Sequence, residues 1–510
     1  MSGNQHSGSG KRTSNVKTSR QGHERPDSKR QSRRQASTHA APSAKPNSSA
    51  AKPKRQLTAR EVALDTLVRV AESGAYSNLQ LNRALQDAGL TRPDAGLATE
   101  LVYGTIQRQR TLDDILMRLV TKGWSKLAPW VLQLLRMSAY QICYLDRVPP
   151  HAAVNEAVTI AKRRGHAGIS GMVNGVLRNL LRRKEELMQP AVSGGAASDI
   201  GIRQSYPDWI VSHWIDEFDA HTAEAICAAG NEPPHASIRV NIVKGTREHA
   251  LRVLAEQGFD AEPSKLAPAG IVVRGGGNLA LTDGYASGWW TMQDESSMLV
   301  AEVCAPRAGT RVLDCCAAPG GKTTHLAELM GDAGEVIAND VHEHKRQLIE
   351  EQANRLELRS VRPVTGDAGR LTERFEPASF DTVLLDAPCS GLGVIRRKPE
   401  IKWTKSPGDI REIAGVQRRL LREAAQLVKP GGTLVYSTCT IAREENEDQV
   451  ASFLAELPGF ELDPDWPADV LSSLREAGAV ADDFRGELQL LPQHFGSDGF
   501  YIAKLRRKHV

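Results

Sequence analysis

Two cysteines follow short apolar runs that are typical of buried strands. Cys389 lies in Asp386-Ala387-Pro388-Cys389-Ser390-Gly391, and Cys439 lies in Ser437-Thr438-Cys439-Thr440. In an open α/β sheet, side chains that follow the carboxyl end of a strand face the crevice in which ligands bind. Two thiols at that edge predict covalent chemistry by a cysteine nucleophile.

A turn with two glycines indicates that the same edge of the predicted sheet also binds a ligand. The buried-strand candidate Arg311–Asp314 leads into Ala317-Ala318-Pro319-Gly320-Gly321-Lys322-Thr323. Glycines let a backbone approach a ligand, and the following helix offers free N–H groups. Asp340 ends the next predicted strand, where a carboxylate binds a ribose diol. Because the turn matches neither GxGxxG nor GxxxxGK[ST], it favours S-adenosylmethionine over a dinucleotide or ATP.

Residues 301–510 have the sequence pattern of the domain that would position these residues. Apolar runs alternate there with helical stretches, which predicts a doubly wound, Rossmann-like α/β domain with a parallel sheet. The predicted strands are 311–314, 335–339, 361–364, 380–385 and 432–436, and the predicted helices are 325–330, one ending at 356, and 410–428.

Two further parts precede this domain. Residues 56–184 have helical periodicity that begins at a capping-box sequence, Thr58-Ala59-Arg60-Glu61, and they predict an all-α domain. Residues 185–205 are rich in Gly, Ser and Ala and are expected to be a linker. Residues 206–300 predict a small α+β RNA-binding or connecting module, with strands near 238–241 and 271–273 and a helix over 247–257.

Charge is unevenly distributed along the 510 residues. Residues 1–55 hold 13 Lys and Arg against 2 Asp and Glu, whereas the net charge of the whole chain is +4. This tail is expected to be disordered and to add sequence-independent RNA affinity. Residues 157–184 carry seven cations, and 396–405 carry five cations to one acid. Both are expected to contact RNA phosphates, with solvated faces as the alternative.

Composition excludes several classes of protein. No run of 18 apolar residues is present, so a membrane span is not expected, and the N-terminus lacks the apolar region of a secretory signal. Seven irregularly spaced cysteines without a CxxC pair predict a cytoplasmic protein without a metal site. Cys143, Cys227 and Cys304 are expected to be inert core residues.

Two resemblances to known families extend this interpretation. Residues 57–184 resemble the NusB-like RNA-binding domain, chiefly at Ala59–Ala63, Leu101–Gly104, Val148–Val158 and Val173–Arg178. The remainder resembles the NOL/NOP2/Sun family of RNA cytosine-5 methyltransferases, at Asp314–Thr323, Asp386–Gly391, Arg396–Trp403, Ser437–Thr440 and Asp498–Ala503. Together they imply a monomeric enzyme that methylates carbon 5 of a cytosine in small-subunit (16S) ribosomal RNA.

The resemblance implies separate roles for the two thiols. Cys439 is the expected nucleophile, which adds to carbon 6 so that carbon 5 can accept a methyl group. Cys389 is expected to assist loss of the carbon 5 proton and release of the adduct, and Asp386 to hydrogen-bond the cytosine edge. Lys322 is a candidate for lowering the pKa of Cys439. The cofactor, S-adenosyl-L-methionine, is expected to contact Cys316, Ala317, Ala318, Pro319, Gly320, Gly321, Lys322, Asp340, Asp367 and Asp386.

Alternatives remain at this point. Cys389 is the nucleophile if the chain follows DNA cytosine-5 methyltransferases, which use a Pro-Cys motif. The same chemistry on transfer RNA is a second alternative. A third is a non-catalytic NusB-like RNA-binding or ribosome-assembly factor.

Overall fold

The computed structural model describes residues 56–120, 123–189, 195–275 and 277–509. The prediction of a disordered tail over residues 1–55 concerns residues outside these ranges. None of the helices in the described ranges has the length and apolar character needed to cross a bilayer.

The N-terminal part is all-helical, as predicted. Thr58 begins its first helix through the expected capping box: its hydroxyl accepts from the Glu61 N–H, and the Glu61 carboxylate accepts from the Thr58 N–H at 3.0 Å. The helices are α1 (Ala59–Ser73), α2 (Ser77–Ala88), α3 (Arg92–Gln107), α4 (Gln109–Met117), α5 (Pro129–Tyr144), α6 (Pro150–Arg164), α7 (Ala167–Arg182) and α8 (Lys184–Met188).

The linker predicted over residues 185–205 is largely wrong. Most of α8 and the whole of α9 (Ala196–Gln204) occupy it, and residues 190–194 lie outside the described ranges. Helix α9 packs on α4, where the Thr111 hydroxyl donates to the Ile202 carbonyl at 2.6 Å and Ile200 is buried. Gly, Ser and Ala indicated a flexible segment, but α9 buries Ile200 and is hydrogen-bonded to Thr111 of α4.

The next part confirms the predicted small α+β module. Its antiparallel sheet has the strand order β2-β3-β1-β4. The elements are α10 (Asp208–Glu217), α11 (Ala220–Ala229), β1 (Ala236–Val240), α12 (Arg247–Glu256), β2 (Ala261–Pro263), β3 (Gly270–Val273), α13 (Asp283–Ala286) and β4 (Trp290–Met292).

The C-terminal part is the predicted Rossmann-like domain. Its elements are α14 (Glu295–Cys304), β5 (Arg311–Asp314), α15 (Gly321–Leu329), β6 (Glu335–Asp340), α16 (Glu343–Leu356), β7 (Val361–Thr365), β8 (Phe380–Asp386), α17 (Ile401–Thr404), α18 (Pro407–Leu427), β9 (Val428–Thr438), α19 (Glu447–Glu456), β10 (Phe460–Leu462), α20 (Ala468–Glu476), β11 (Glu487–Leu490), α21 (Pro492–Phe495) and β12 (Phe500–Arg507).

The sheet of this domain has the order β10-β12-β9-β8-β5-β6-β7, with β11 paired to β12. Strands β9, β8, β5, β6 and β7 are parallel, and β12 is antiparallel to β9. The chain winds from β5 outward to β7 and then returns to β8 on the other side of β5. A crevice therefore opens at the carboxyl ends of β5 and β8, which is the usual ligand position in such sheets.

Helix α15 begins earlier than predicted. It starts at Gly321 rather than at His325, because Gly320 adopts a left-handed conformation (φ 105°) that ends the turn. A Cβ at Gly320 would lie 3.3 Å from Ile349 Cα, so a side chain there would crowd α16 as well as strain the backbone. The first turn of α15 therefore carries Lys322, whose Nζ lies 2.8 Å from Asp386 Oδ2 at the end of β8.

Candidate active site

The two predicted thiols meet at the carboxyl edge of the sheet. Cys439 follows the last residue of β9, and Cys389 lies three residues beyond the end of β8. Their sulfur atoms are 3.3 Å apart, within hydrogen-bonding distance. Strands β8 and β9 are adjacent and parallel, with Asp386 opposite Ser437, so their ends converge at one point.

The shared hydrogen bond moves the pKa values of the two thiols in opposite directions. The bond from Cys389 lowers the pKa of Cys439, with further help from the charges of Lys322 and Lys398, although burial and Asp386 oppose the shift. The same bond, together with burial, raises the pKa of Cys389 well above its ordinary value. These directions favour Cys439 over Cys389 as the thiolate of the pair.

Asp386 is held by two donors beside the thiols. Lys322 Nζ donates to Asp386 Oδ2 at 2.8 Å, and the Ser437 hydroxyl donates to Oδ1 at 2.9 Å. Burial lowers the pKa of Lys322, but the charge of Asp386 and its hydrogen bond outweigh that effect and raise it. Lys322 thus remains a cation and fixes the direction of the carboxylate.

A buried carboxylate that sequence reasoning missed supports the Cys389 loop. Glu445 Oε2 accepts from the Ser390 N–H at 2.8 Å and from Gln417 Nε2 at 2.9 Å. The Ser390 hydroxyl also lies 2.8 Å from Thr440 Oγ1, which ties the Cys389 loop to the segment after β9. Glu445 lies in the acidic run Arg443-Glu444-Glu445-Asn446-Glu447, where no local signal distinguishes a buried glutamate from a solvated one.

A cleft of about 610 Å³ begins at the thiols and extends along the strand ends. Predicted site residues that line it are Cys316, Ala318, Asp340, Asp367, Asp386, Cys389 and Cys439. Other predicted cofactor residues do not line it and instead shape the turn or support it from behind: Ala317, Pro319, Gly320, Gly321 and Lys322. Ala317 is buried, and its N–H donates to the Asn339 carbonyl.

The cleft has carboxylates at one end and an apolar patch beside them. Asp340 ends β6 and accepts from the N–H groups of Ala318 and His342 at 3.4 and 3.3 Å. Asp367 follows β7 and accepts from the Gly369 N–H at 2.8 Å. Ala368 and Leu420 add apolar lining next to them. This arrangement suits a ribose diol and the flat ring of an adenine.

Most of the cationic stretch 396–405 faces inward, so its predicted RNA contact is wrong for three of its residues. Arg396 donates to the carbonyls of Gly496, Ala229 and Pro492, and Arg397 pairs with Asp498 and Asp294. Lys402 is fully buried and donates to backbone and side-chain oxygens. Lys398 and Lys405 do line the cleft.

The basic run 157–184 is partly neutralised by acids from elsewhere in the chain. Ion pairs join Arg163 to Glu61, Arg164 to Asp65 and Arg183 to Glu186. Lys162 and Arg178 instead line a shallow groove between α6 and α7. That groove is the part of the run to which the RNA-contact prediction still applies.

Cys143, Cys227 and Cys304 are buried free thiols, and burial raises the pKa of each. They lie in the apolar clusters of their domains, in agreement with inert packing.

Comparison with known proteins shows the family. Family models match three consecutive parts of the chain: "NusB family" over residues 57–182, "Methyltr_RsmF/B-like, ferredoxin-like domain" over 206–280 and "16S rRNA methyltransferase RsmB/F" over 301–506. A Bacillus subtilis protein named "Probable ribosomal RNA small subunit methyltransferase B" is 43% identical over 89% of this chain and 100% of its own length. The chain belongs to the RsmB/F family of 16S rRNA methyltransferases.

Other relatives of this RsmB/F-family chain agree. A Synechocystis protein with the same name is 37% identical over 88% of this chain and 100% of its own length. The crystal structure of PH0851 has a TM-score of 0.73 and 26% identity, covering 88% of this chain and 99% of that one. A methyltransferase homologue from Pyrococcus horikoshii has a TM-score of 0.52 and 28% identity, covering 62% and 100%.

An RsmB/F-family enzyme methylates ribosomal RNA with S-adenosylmethionine as cofactor, and the residues of the cleft fit that molecule. The turn before α15 lines the cleft with Cys316 and Ala318, neither of which has a bulky side chain. Asp340 and Asp367, whose carboxylates can accept hydrogen bonds from the cofactor's hydroxyl groups, line the same cleft as Cys439. S-adenosylmethionine held by these acidic residues would supply a methyl group in the same cleft as the thiols.

Proposed function

We propose that this enzyme methylates carbon 5 of a cytosine in 16S ribosomal RNA, with Cys439 as nucleophile and Cys389 as the residue that ends the adduct. The observation that supports this most directly is the 3.3 Å contact between the two sulfur atoms. It lowers the pKa of Cys439 and raises that of Cys389, so that one thiol is prepared to attack while the other retains its proton.

Attack by Cys439 makes carbon 5 nucleophilic. Its thiolate forms a bond to carbon 6, the π electrons move through carbon 4 to nitrogen 3, and nitrogen 3 takes a proton from solvent. The Asp386 carboxylate, directed by Lys322, accepts hydrogen bonds from the protonated edge of the base. When bound, S-adenosylmethionine supplies the methyl group as an electrophilic sulfonium. Carbon 5 of the enamine would take that methyl group as the donor's carbon–sulfur bond breaks, and the neutral thioether S-adenosylhomocysteine would be the leaving group.

Cys389 acts after methyl transfer. Once Cys439 is a thioether, it no longer accepts the hydrogen bond or carries the charge that raises the pKa of Cys389. Cys389 therefore loses its proton to solvent more readily and removes the proton from carbon 5. That electron pair restores the double bond between carbons 5 and 6, and Cys439 leaves as a thiolate. Nitrogen 3 returns its proton to solvent, which gives neutral 5-methylcytosine.

Two substitutions test the assignment. Cys439→Ala is expected to abolish methylation and adduct formation. Cys389→Ala is expected to accumulate an RNA–protein adduct that survives denaturing electrophoresis, because Cys439 still attacks but release is slow. Methylation by Cys439→Ala, together with no trapped RNA in Cys389→Ala, would assign the nucleophile to Cys389 instead.

The substrate is tested separately. Bisulfite sequencing of ribosomal and transfer RNA from a deletion strain is expected to show loss of a cytosine signal in 16S RNA alone. Loss at a transfer RNA position would overturn the substrate proposal. A purified protein that binds ribosomal RNA tightly but gives no calorimetric signal with S-adenosylmethionine would instead indicate an assembly factor.

A further inference from the structure

The helical N-terminal part supplies one wall of the active-site cleft. Gly74 and Tyr76, in the short connection between α1 and α2, line the same cleft as Cys389, Cys439 and Asp386. Both residues lie more than 300 positions from the thiols along the chain. The cleft is therefore a composite of the RNA-binding part and the catalytic part.

A carboxylate from the catalytic part fixes this connection in place. Glu400 accepts from the Ser77 N–H at 3.1 Å and from the Ser77 hydroxyl at 2.8 Å. Ser77 is the first residue of α2, where backbone N–H groups lack helical partners and a negative charge is favourable. Both Ser77 and Glu400 are buried. Tyr76, the neighbour of Ser77, is consequently held at the cleft rather than free to move with a loop.

Two further contacts hold the same segment of the catalytic part. Trp403 Nε1 donates to the Ile106 carbonyl at 2.8 Å, and Lys402 Nζ donates to the Gln107 carbonyl at 3.1 Å. Together with the Glu400–Ser77 bonds, they attach residues 400–403 to α2 and to the end of α3. The position of Tyr76 relative to the thiols is therefore set by buried polar contacts.

The Tyr76 side chain itself is accessible to a ligand. It is 53% exposed, although its neighbour Ser77 is fully buried, and it forms no side-chain hydrogen bond that caps α2. Lys398 Nζ lies over one face of the Tyr76 ring, 5.4 Å from the ring centre, so a base would stack on the opposite face, and Lys398 also lines the cleft. An accessible aromatic face beside an ammonium group matches the two parts of a nucleotide: a base stacks on the ring, and a phosphate pairs with the cation.

We propose that Tyr76 stacks on the nucleotide next to the target cytosine while Lys398 pairs with its phosphate. The inference rests on the proposed function, because it requires an unstacked cytosine in the cleft. A base that leaves an RNA stack also exposes its neighbour, and an aromatic ring at the rim replaces the lost stacking partner. The helical part thereby selects the local RNA context of the reaction as well as adding affinity.

The test compares full-length variants on a small-subunit ribosomal RNA transcript, with methyl transfer from labelled S-adenosylmethionine as the readout. Wild-type protein must first form 5-methylcytosine, and failure at this step rejects the proposed function before any variant is compared. With that established, Tyr76→Ala is expected to raise KM for RNA by about 5- to 150-fold, the range for loss of one base–aromatic stack. Tyr76→Phe keeps the ring and is expected to stay within about twofold.

The control is Leu79→Ala, which removes an exposed apolar side chain near Tyr76, on the first turn of α2, that does not line the cleft. It is expected to leave KM unchanged. Lys398→Ala is expected to reduce the slope of log KM against log salt concentration by the amount that corresponds to about one lost phosphate contact. The proposal is overturned if Tyr76→Ala leaves KM for RNA within twofold of wild type. It is also overturned if Tyr76→Ala loses as much affinity for S-adenosylmethionine as for RNA. A fall in the Tm of this variant that accounts for its lost RNA affinity would overturn it as well.

Discussion

Lys322 Nζ and Asp386 Oδ2 lie 2.8 Å apart beside the cleft, and the charges of this ion pair act on the proposed cytosine site and on Cys439. The Lys322 side chain is only 13% exposed, so its charge is weakly screened. It fixes the carboxylate that is proposed to meet the cytosine, and it also lowers the pKa of Cys439.

Lys322→Met is expected to shift the acidic limb of the pH profile of kcat/KM to higher pH. Loss of the cation raises the pKa of Cys439, so less thiolate is present at neutral pH, and we expect kcat/KM at pH 7 to fall about 10-fold or more. The matched control is Lys429→Met, which breaks a similar pair with Asp381 at 2.9 Å near the start of β8. An unchanged profile for Lys322→Met would remove Lys322 from the activation of Cys439.

Mild treatment with hydrogen peroxide is expected to join Cys389 and Cys439. Their sulfur atoms need to approach from 3.3 Å to about 2.05 Å, and two thiols plus one peroxide give one disulfide and two waters. We expect intact-mass spectrometry to show the loss of two hydrogen atoms, activity to disappear, and dithiothreitol to restore it. Cys389→Ala should gain oxygen instead, and peroxide-treated wild type with both thiols still open to alkylation would contradict the prediction.

Glu302→Gln is expected to stabilise the protein at alkaline pH. Burial raises the pKa of Glu302 to about 8, and its Oε2 has no hydrogen-bond partner among the described residues. The pKa of an unfolded glutamate is about 4.3. Between that pH and pH 8, the folded state keeps a proton on Glu302 that the unfolded state releases, so the free energy of unfolding falls as pH rises through this range.

The neutral amide avoids that cost. Differential scanning calorimetry is expected to show a Tm gain on the order of a few degrees at pH 8 and little change at pH 5. Glu262→Gln, in an exposed pair with Arg274, is the control and should show no such trend. A gain of equal size at both pH values would indicate that Glu302 is not protonated in the folded protein.

Arg239→Leu is expected to destabilise the protein by about 3–5 kcal/mol in urea unfolding, because it leaves a buried carboxylate without its partner. Arg239 is fully buried and forms two hydrogen bonds to Glu328, at 2.7 and 2.9 Å. It also donates to the Gly321 carbonyl at 2.7 Å, at the start of α15, so S-adenosylmethionine affinity should fall as well. Arg274→Ala breaks only an exposed pair and should change stability by less than about 1 kcal/mol. A similar small change for Arg239→Leu would show that the buried pair is dispensable.

The sequence predicted the sheet and the thiols well because both depend on local patterns. Apolar runs marked β5, β6 and β8, and the residues after them marked the carboxyl edge at which Cys389 and Cys439 meet. Parallel pairing brings consecutive strand ends to one side, so the motif residues converge without any long-range information.

The stretch 396–405 shows where local patterns fail. A cation-rich run has the composition of a phosphate-binding surface, but the partners of Arg397 are Asp294 and Asp498, about 100 residues away in each direction. Arg239 and Glu445 were missed for the same reason, since each is a common surface residue type whose burial depends on distant segments. Only tertiary packing distinguishes these charges from solvated ones.

Lys402 limits how this protein can be divided. Its ammonium group is fully buried, and burial lowers its pKa well below the ordinary value, so it depends on the carbonyls of Gln107 and Ser205 and on Asn231. A catalytic fragment without residues 56–189 would lose the first of these acceptors, as well as the Ile106 carbonyl that receives the Trp403 N–H. An exchange of the helical part for another RNA-binding domain would have to supply the same carbonyls at the same positions.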